Sequence, residues 1–142
     1  MSRMTRDQAV ARLLDGVQAD LSACNAVRAL LERQFQAALR HRGAELTQLA
    51  DELMPQLDAM EARRQQRVQL VRALFGADAT MDRLFASMAA PQRAAAGAAW
   101  EQLEQLVRDC KQATARNGNL MAEQYSVMQR LLHGEEHTYA PR

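Results

Sequence analysis

Apolar residues return along this chain at alternating spacings of three and four. In the first third they fall at Val10, Leu14, Val17, Leu21 and Cys24, and then at Val27, Leu31, Phe35 and Leu39. That spacing draws one stripe down one side of an α-helix, the arrangement by which helices pack along their length. It predicts a first helix over about 5–40. Thr5 and Gln8 have the form of a capping box at its start, each side chain serving the other residue's backbone N–H. Such a helix is about 54 Å long at 1.5 Å per residue. It cannot bury its stripe against itself and needs neighbours of similar length.

The tripeptide His41-Arg42-Gly43 is the first break, with Gly43 suited to a helix C-terminus. A second stripe follows at Leu46, Leu49, Leu53, Leu57, Met60, Val68, Val71 and Leu74. It predicts a helix over about 44–75, kinked locally by Pro55 and ended by Gly76. Thr80 can cap a short helix over 81–88. Pro91 fits the first turn of a third long helix over about 91–132. Its stripe is Ala99, Leu103, Leu106, Cys110, Ala113, Asn117, Leu120, Gln124, Val127 and Leu131, widened by Trp100, Val107, Met121 and Met128. Residues 133–142 read as a flexible tail.

The turn-prone Asn117-Gly118-Asn119 stands in the middle of that third helix. Asn117 keeps phase with the apolar residues on either side, which a loop need not do. The helix is therefore expected to run through, with a buried Asn fixing register at some expense of stability. Gly118 costs about 1 kcal/mol relative to Ala in a helix, and close approach of another helix would be a reason for it. The rival reading is a turn that splits the third helix into a hairpin. Together the patterns give an all-α chain, one domain over 1–142. A long antiparallel helical hairpin is joined to a third long C-terminal helix in an elongated, coiled-coil-like three-helix bundle.

Composition agrees with helix: Ala, Leu, Gln, Arg and Glu dominate, with 6 Gly and 3 Pro in 142 residues. With 18 basic and 17 acidic residues the net charge is +1, which argues against a nucleic-acid platform. Nowhere do 18 apolar residues run together, so no membrane insertion is expected. The opening residues lack the apolar run of a secretory signal. Cys24 and Cys110 fall on apolar helical positions without metal-binding spacing, and read as reduced core thiols in a cytoplasmic protein.

No constellation for catalysis, cofactor or metal stands out, and the chain does not read as an enzyme. The segment HGEEH sets His133 and His137 four apart, but Gly134 stands where a zinc-protease helix needs Glu. Arg63, Arg64 and Arg67 read as a solvated helix face rather than a phosphate-binding patch, since no aromatic interleaves with them. The broad face of Leu120, Met121, Val127, Met128 and Leu131 reads either as core or as an adaptable surface for a partner helix, because Met repacks readily. Tyr139 is an aromatic anchor among polar residues near the C-terminus.

The succession RVQLVRALFG, AAWEQLEQLVRDC, ARNGNLM and LLHGEEHTYAPR resembles the FlgN family of flagellar type III export chaperones. Helix order and length match over nearly the whole chain, and the specific likeness runs from about Trp100 onward. Asn117-Gly118 matches the second half of that family's Asn-x-x-Asn-Gly signature, with Thr114 in the first Asn position. Tyr139 matches a tail tyrosine, without the family's following glycines. The resemblance implies a chaperone that binds the C-terminal helical regions of the hook–filament junction proteins FlgK and FlgL in the cytoplasm, prevents premature association and delivers them to the export gate. It makes Leu120, Met121, Val127, Met128 and Leu131 candidate substrate contacts. It makes Tyr139 the candidate contact to the gate protein FlhA, and Asn117 and Gly118 structural signature residues. No nucleic acid and no small-molecule substrate is implied. The other reading of the same stripes is a structural or adaptor coiled-coil protein that self-associates.

Overall fold

The structure is a computed structural model that describes the backbone of residues 4–139 and the side chains of residues 4–134. Four helices follow one another: α1 (Arg6–Leu39), α2 (Gly43–Phe75), α3 (Met81–Ala86) and α4 (Ala90–Tyr139). No strand occurs among the described residues. Thr5 caps α1, its hydroxyl accepting from the Gln8 N–H while the Gln8 side chain accepts from the Thr5 N–H, as the capping-box pattern requires. Gly76 ends α2 at φ 98, a conformation that glycine adopts without strain.

Several boundaries differ from the expectation. Gly43 does not close α1. It opens α2, and the left-handed residue between the two helices is His41, at φ 54. The span of α2 otherwise agrees with the expectation, with the exposed Pro55 inside the helix. Thr80 stands at the N-cap of α3 without a side-chain hydrogen bond. Helix α4 is continuous through Asn117-Gly118-Asn119, so the hairpin reading fails. It also continues through Gly134 to Tyr139 instead of ending at Leu132. Gly weakens a helix without breaking it, and the sequence has no obligate breaker there before Pro141.

Helix α1 is the central element. Leu13 and Val17 on α1 cluster with Val71 on α2, Asp20 meets Arg63 and Arg67, and Val27 and Leu31 cluster with Leu53, so these two run antiparallel. Cys24, Leu31 and Ala38 meet Cys110, Asn117 and Gln124 in that order, so α4 runs parallel to α1. Because α1 is covered on two flanks, its buried face is wider than a single stripe. Ala9, Leu13, Val17, Asp20, Cys24, Val27 and Leu31 are buried, whereas Leu14 and Leu21 are half-buried and Leu39 is exposed. Helices α2 and α4 both pack on α1 and not along each other. At one end α3 bridges α2 and α4, its Met81, Leu84 and Phe85 joining Leu13, Val17, Val71 and Leu103 in one core. A second, smaller core of Val27, Leu31 and Leu53 lies further along.

Candidate functional site

The α4 seam is fixed on α1 by polar side chains at its far end. Asn117 is 1% exposed, and its Nδ2 donates to the Leu31 carbonyl and to Gln34 Oε1, both at 2.8 Å. Its Oδ1 accepts from Arg116 Nε at 3.2 Å. The Arg116 guanidinium lies 3.9 Å from the Phe35 ring centre and reaches Glu32 Oε2 at 3.1 Å. Two turns further, Gln124 Nε2 donates 2.8 Å to the Ala38 carbonyl. That carbonyl lies in the last turn of α1, where it also accepts from the His41 N–H at 3.2 Å in place of the regular helical donor. The buried Asn is thus a register-setting contact, as its place on the seam implied. Gly118, by contrast, is exposed, and a Cβ built there meets nothing within 4 Å. The close approach expected at that glycine is absent from the single chain.

Beyond Gln124 the partner helix is gone. Helix α1 stops at Leu39, while α4 continues to Tyr139, leaving 125–139 as an overhang about 22 Å long at 1.5 Å per residue. The apolar periodicity does not stop with it. Val127, Met128, Leu131 and Leu132 are all exposed, Leu131 at 61%. Leu120 and Met121, still beside α1, are half-buried. The five predicted substrate contacts therefore divide: two flank the α1 contact and three lie on the open overhang. Tyr125, at 67% the most exposed of the large apolar side chains among the described residues, belongs to the same face. Its spacing of four from Met121 and three from Met128 is the signal in the sequence that places it there, and Leu132 follows four after Met128. Tyr139 is the last residue of α4, and its side chain lies outside the described residues, as do His137 and residues 140–142.

A second open surface lies beside the earlier part of α4. Where α2 and α4 splay apart along α1 they leave a groove with two adjoining cavities of about 470 and 400 Å³. Leu57, Met60, Val107 and Lys111 line both. Leu57 on α2 is exposed despite its place in the apolar stripe, and so is Met54 three residues earlier. Above the groove, Arg67 sits 5.3 Å over the Trp100 ring and ties the two walls together.

Arg63 and Arg67 are not a solvated face. Both bind the carboxylate of Asp20, which is 3% exposed. Arg64 alone keeps to the surface, paired with Glu61 at 2.7 Å and holding that carboxyl down at about 2. The two thiols are free, and Cys110 Sγ donates to the Cys24 carbonyl at 3.6 Å. Burial pushes the Cys24 thiol up to about 11, with Cys110 and Asp20 adding to the shift. Among the described residues no group of three or more His, Cys, Asp or Glu could hold a metal ion, and His133 lies exposed on α4. No described helix is long and apolar enough to cross a membrane.

A family model described as FlgN protein matches residues 1–134 of the chain. No curated protein and no solved structure matches it.

Proposed function

Because the chain belongs to the FlgN family of flagellar export chaperones, we propose that it binds the C-terminal helical regions of the hook–filament junction proteins FlgK and FlgL in the cytoplasm. It keeps them from associating early and delivers them to the export gate protein FlhA. The observation that supports this reading is the apolar face of Val127, Met128, Leu131 and Leu132, which continues the α1-facing seam of α4 after α1 has ended. An amphipathic helix laid along that face takes the place that α1 occupies one turn earlier, and its own assembly-prone face is hidden. Two Leu, one Val and one Met give the site adaptable apolar area without a buried charge, which suits a cargo that must later be released. Tyr139 would serve the gate, and Asn117 and Gly118 would have structural roles only.

Co-purification from a flagellated bacterium tests the assignment. The intact chain should capture FlgK- or FlgL-like proteins, and Met128→Glu with Leu131→Glu should lose them while keeping its helix content. Tyr139→Ala should keep the cargo and lose FlhA. Undiminished capture by the double Glu variant would remove this face from the mechanism. Capture of no flagellar protein by the intact chain would favour the self-associating adaptor instead.

A further inference from the structure

Two surfaces of this chain are open and apolar. One is the overhang, with Tyr125, Val127, Met128, Leu131 and Leu132 exposed. The other is the α2/α4 groove, whose lip carries exposed Leu57, with exposed Met54 one turn earlier on α2. Of the nine large apolar side chains exposed among the described residues, five lie on the overhang and Leu57 lines the groove. We propose that these two surfaces cover each other between two copies of the chain, the α4 overhang of each copy lying in the α2/α4 groove of the other.

The lengths agree. Along α4 the groove runs from Trp100 to Ala115, which is about 22 Å at the helical rise and matches the overhang 125–139. The spacing is also self-consistent under a two-fold axis. If two α4 helices cross antiparallel beside Leu120, Tyr125 of one copy is level with Ala115 of the other, and position 139 with position 101. Both overhangs then enter both grooves in one arrangement, as an isologous dimer requires.

The faces agree as well. Gly118 lies three, four and seven residues from Ala115, Thr114 and Lys111, so it shares their groove-side face. Tyr125 is seven further on. At the crossing point the missing Cβ of Gly118, which serves no contact within one chain, would let the two helices approach closely. Tyr125 would meet the cavity beside Leu57 and Thr114. Arg130 would stand level with Cys110, across the groove from Glu61. In cross-section the overhang becomes a fourth helix on α1, α2 and α4, bridging α2 and α4 as α3 does at the other end. Half the side of such a helix, about 10 Å across, buried against a comparable groove area twice over, removes about 1,400 Å² from water, within the range of stable interfaces.

The overhang is also the face given to cargo above, so the dimer is the state of the chain without cargo and cargo would displace the second copy. The chain alone tests the dimer whatever the cargo is. Sedimentation of the full chain at tens of micromolar should give a mass of twice 15.9 kDa. Leu57→Glu and Tyr125→Glu should each halve it with helix content unchanged, since both sites are exposed in the single chain. In a Cys110→Ser background, a tagged chain with Leu57→Cys mixed with an untagged chain with Tyr125→Cys should be joined by a short bismaleimide. A monomeric intact chain would overturn the proposal. So would a dimer that survives both Glu variants, or one in which Tyr125→Cys joins only to itself.

Discussion

Asp20 stands one turn from Val17 and Cys24 on α1, out of reach of water, with two guanidinium groups on its carboxylate. Its partner Arg67 is in turn stacked on Trp100, so one acidic side chain joins all three long helices. Asp20→Ala should lower the unfolding free energy by about 3 kcal/mol, the lower end for breaking a buried pair, because Arg63 still reaches water. Urea denaturation reads this directly. Position 20 fits the α1 stripe, but an acidic residue on a stripe does not announce its partner. That is why Arg63 and Arg67 read as solvated until α2 was placed beside α1. Cys24 adds a pH dependence. Its thiol is held protonated by burial, so the folded form has the higher pKa and its stabilising contribution is complete below pH 9. It should be lost as pH rises from about 9 towards 11. The difference in urea midpoint between the intact chain and Cys24→Ser should therefore change across that window and stay constant below it.

At the level of elements, the hydrophobic spacing carried most of the information. The capping box at Thr5 and the stop at Gly76 follow from local preferences, whereas the passage of α4 through Asn117-Gly118-Asn119 follows from the phase of the stripe, against the local preference of those residues for a turn. Three things did not follow. Leu13 is buried in preference to Leu14, because α1 packs against two flanks and its face is set by both. The turn uses His41 in the left-handed region and not Gly43, since a two-helix turn can be closed by more than one residue. The end of α4 was misplaced because a single Gly134 weakens a helix without stopping it. Gly118 itself gives a clean test. Its φ is not in the left-handed region and a Cβ has open space, so Gly118→Ala should raise stability by about 0.5–1 kcal/mol in the single chain. Denaturation at dilutions that leave one chain per particle would measure it. A loss of stability there would mean that α4 departs from regular helix at this point.

For the molecule as a whole, the candidate site comes from a difference in length between neighbours. No periodicity within one helix states where its partner ends, so the sequence offered Leu120, Met121, Val127, Met128 and Leu131 as one face. Only the register of α4 on α1, set by Asn117 and Gln124, divides that face into a packed part and an open part. Both cores lie before that division. A chain ending at Gln124 should accordingly keep its helical fold and melt within a few degrees of the full chain, while losing capture of FlgK and FlgL. A large drop in melting temperature would place the overhang among the stabilising elements.

The parallel pairing of α1 with α4 has a further consequence, for the order in which the chain assembles. Asp20 finds Arg63 and Arg67 across 43 and 47 residues, whereas Cys24, Leu31 and Ala38 find their α4 partners across 86. Closing the longer loop costs only about 0.6 kcal/mol more for each doubling, but α4 also emerges last during synthesis. The α1–α2 hairpin can therefore form while the remainder of the chain is still being made, and it waits with one flank of α1 uncovered. The late arrival of α4 closes that flank, and the moment of closure is also the moment at which the overhang first exists.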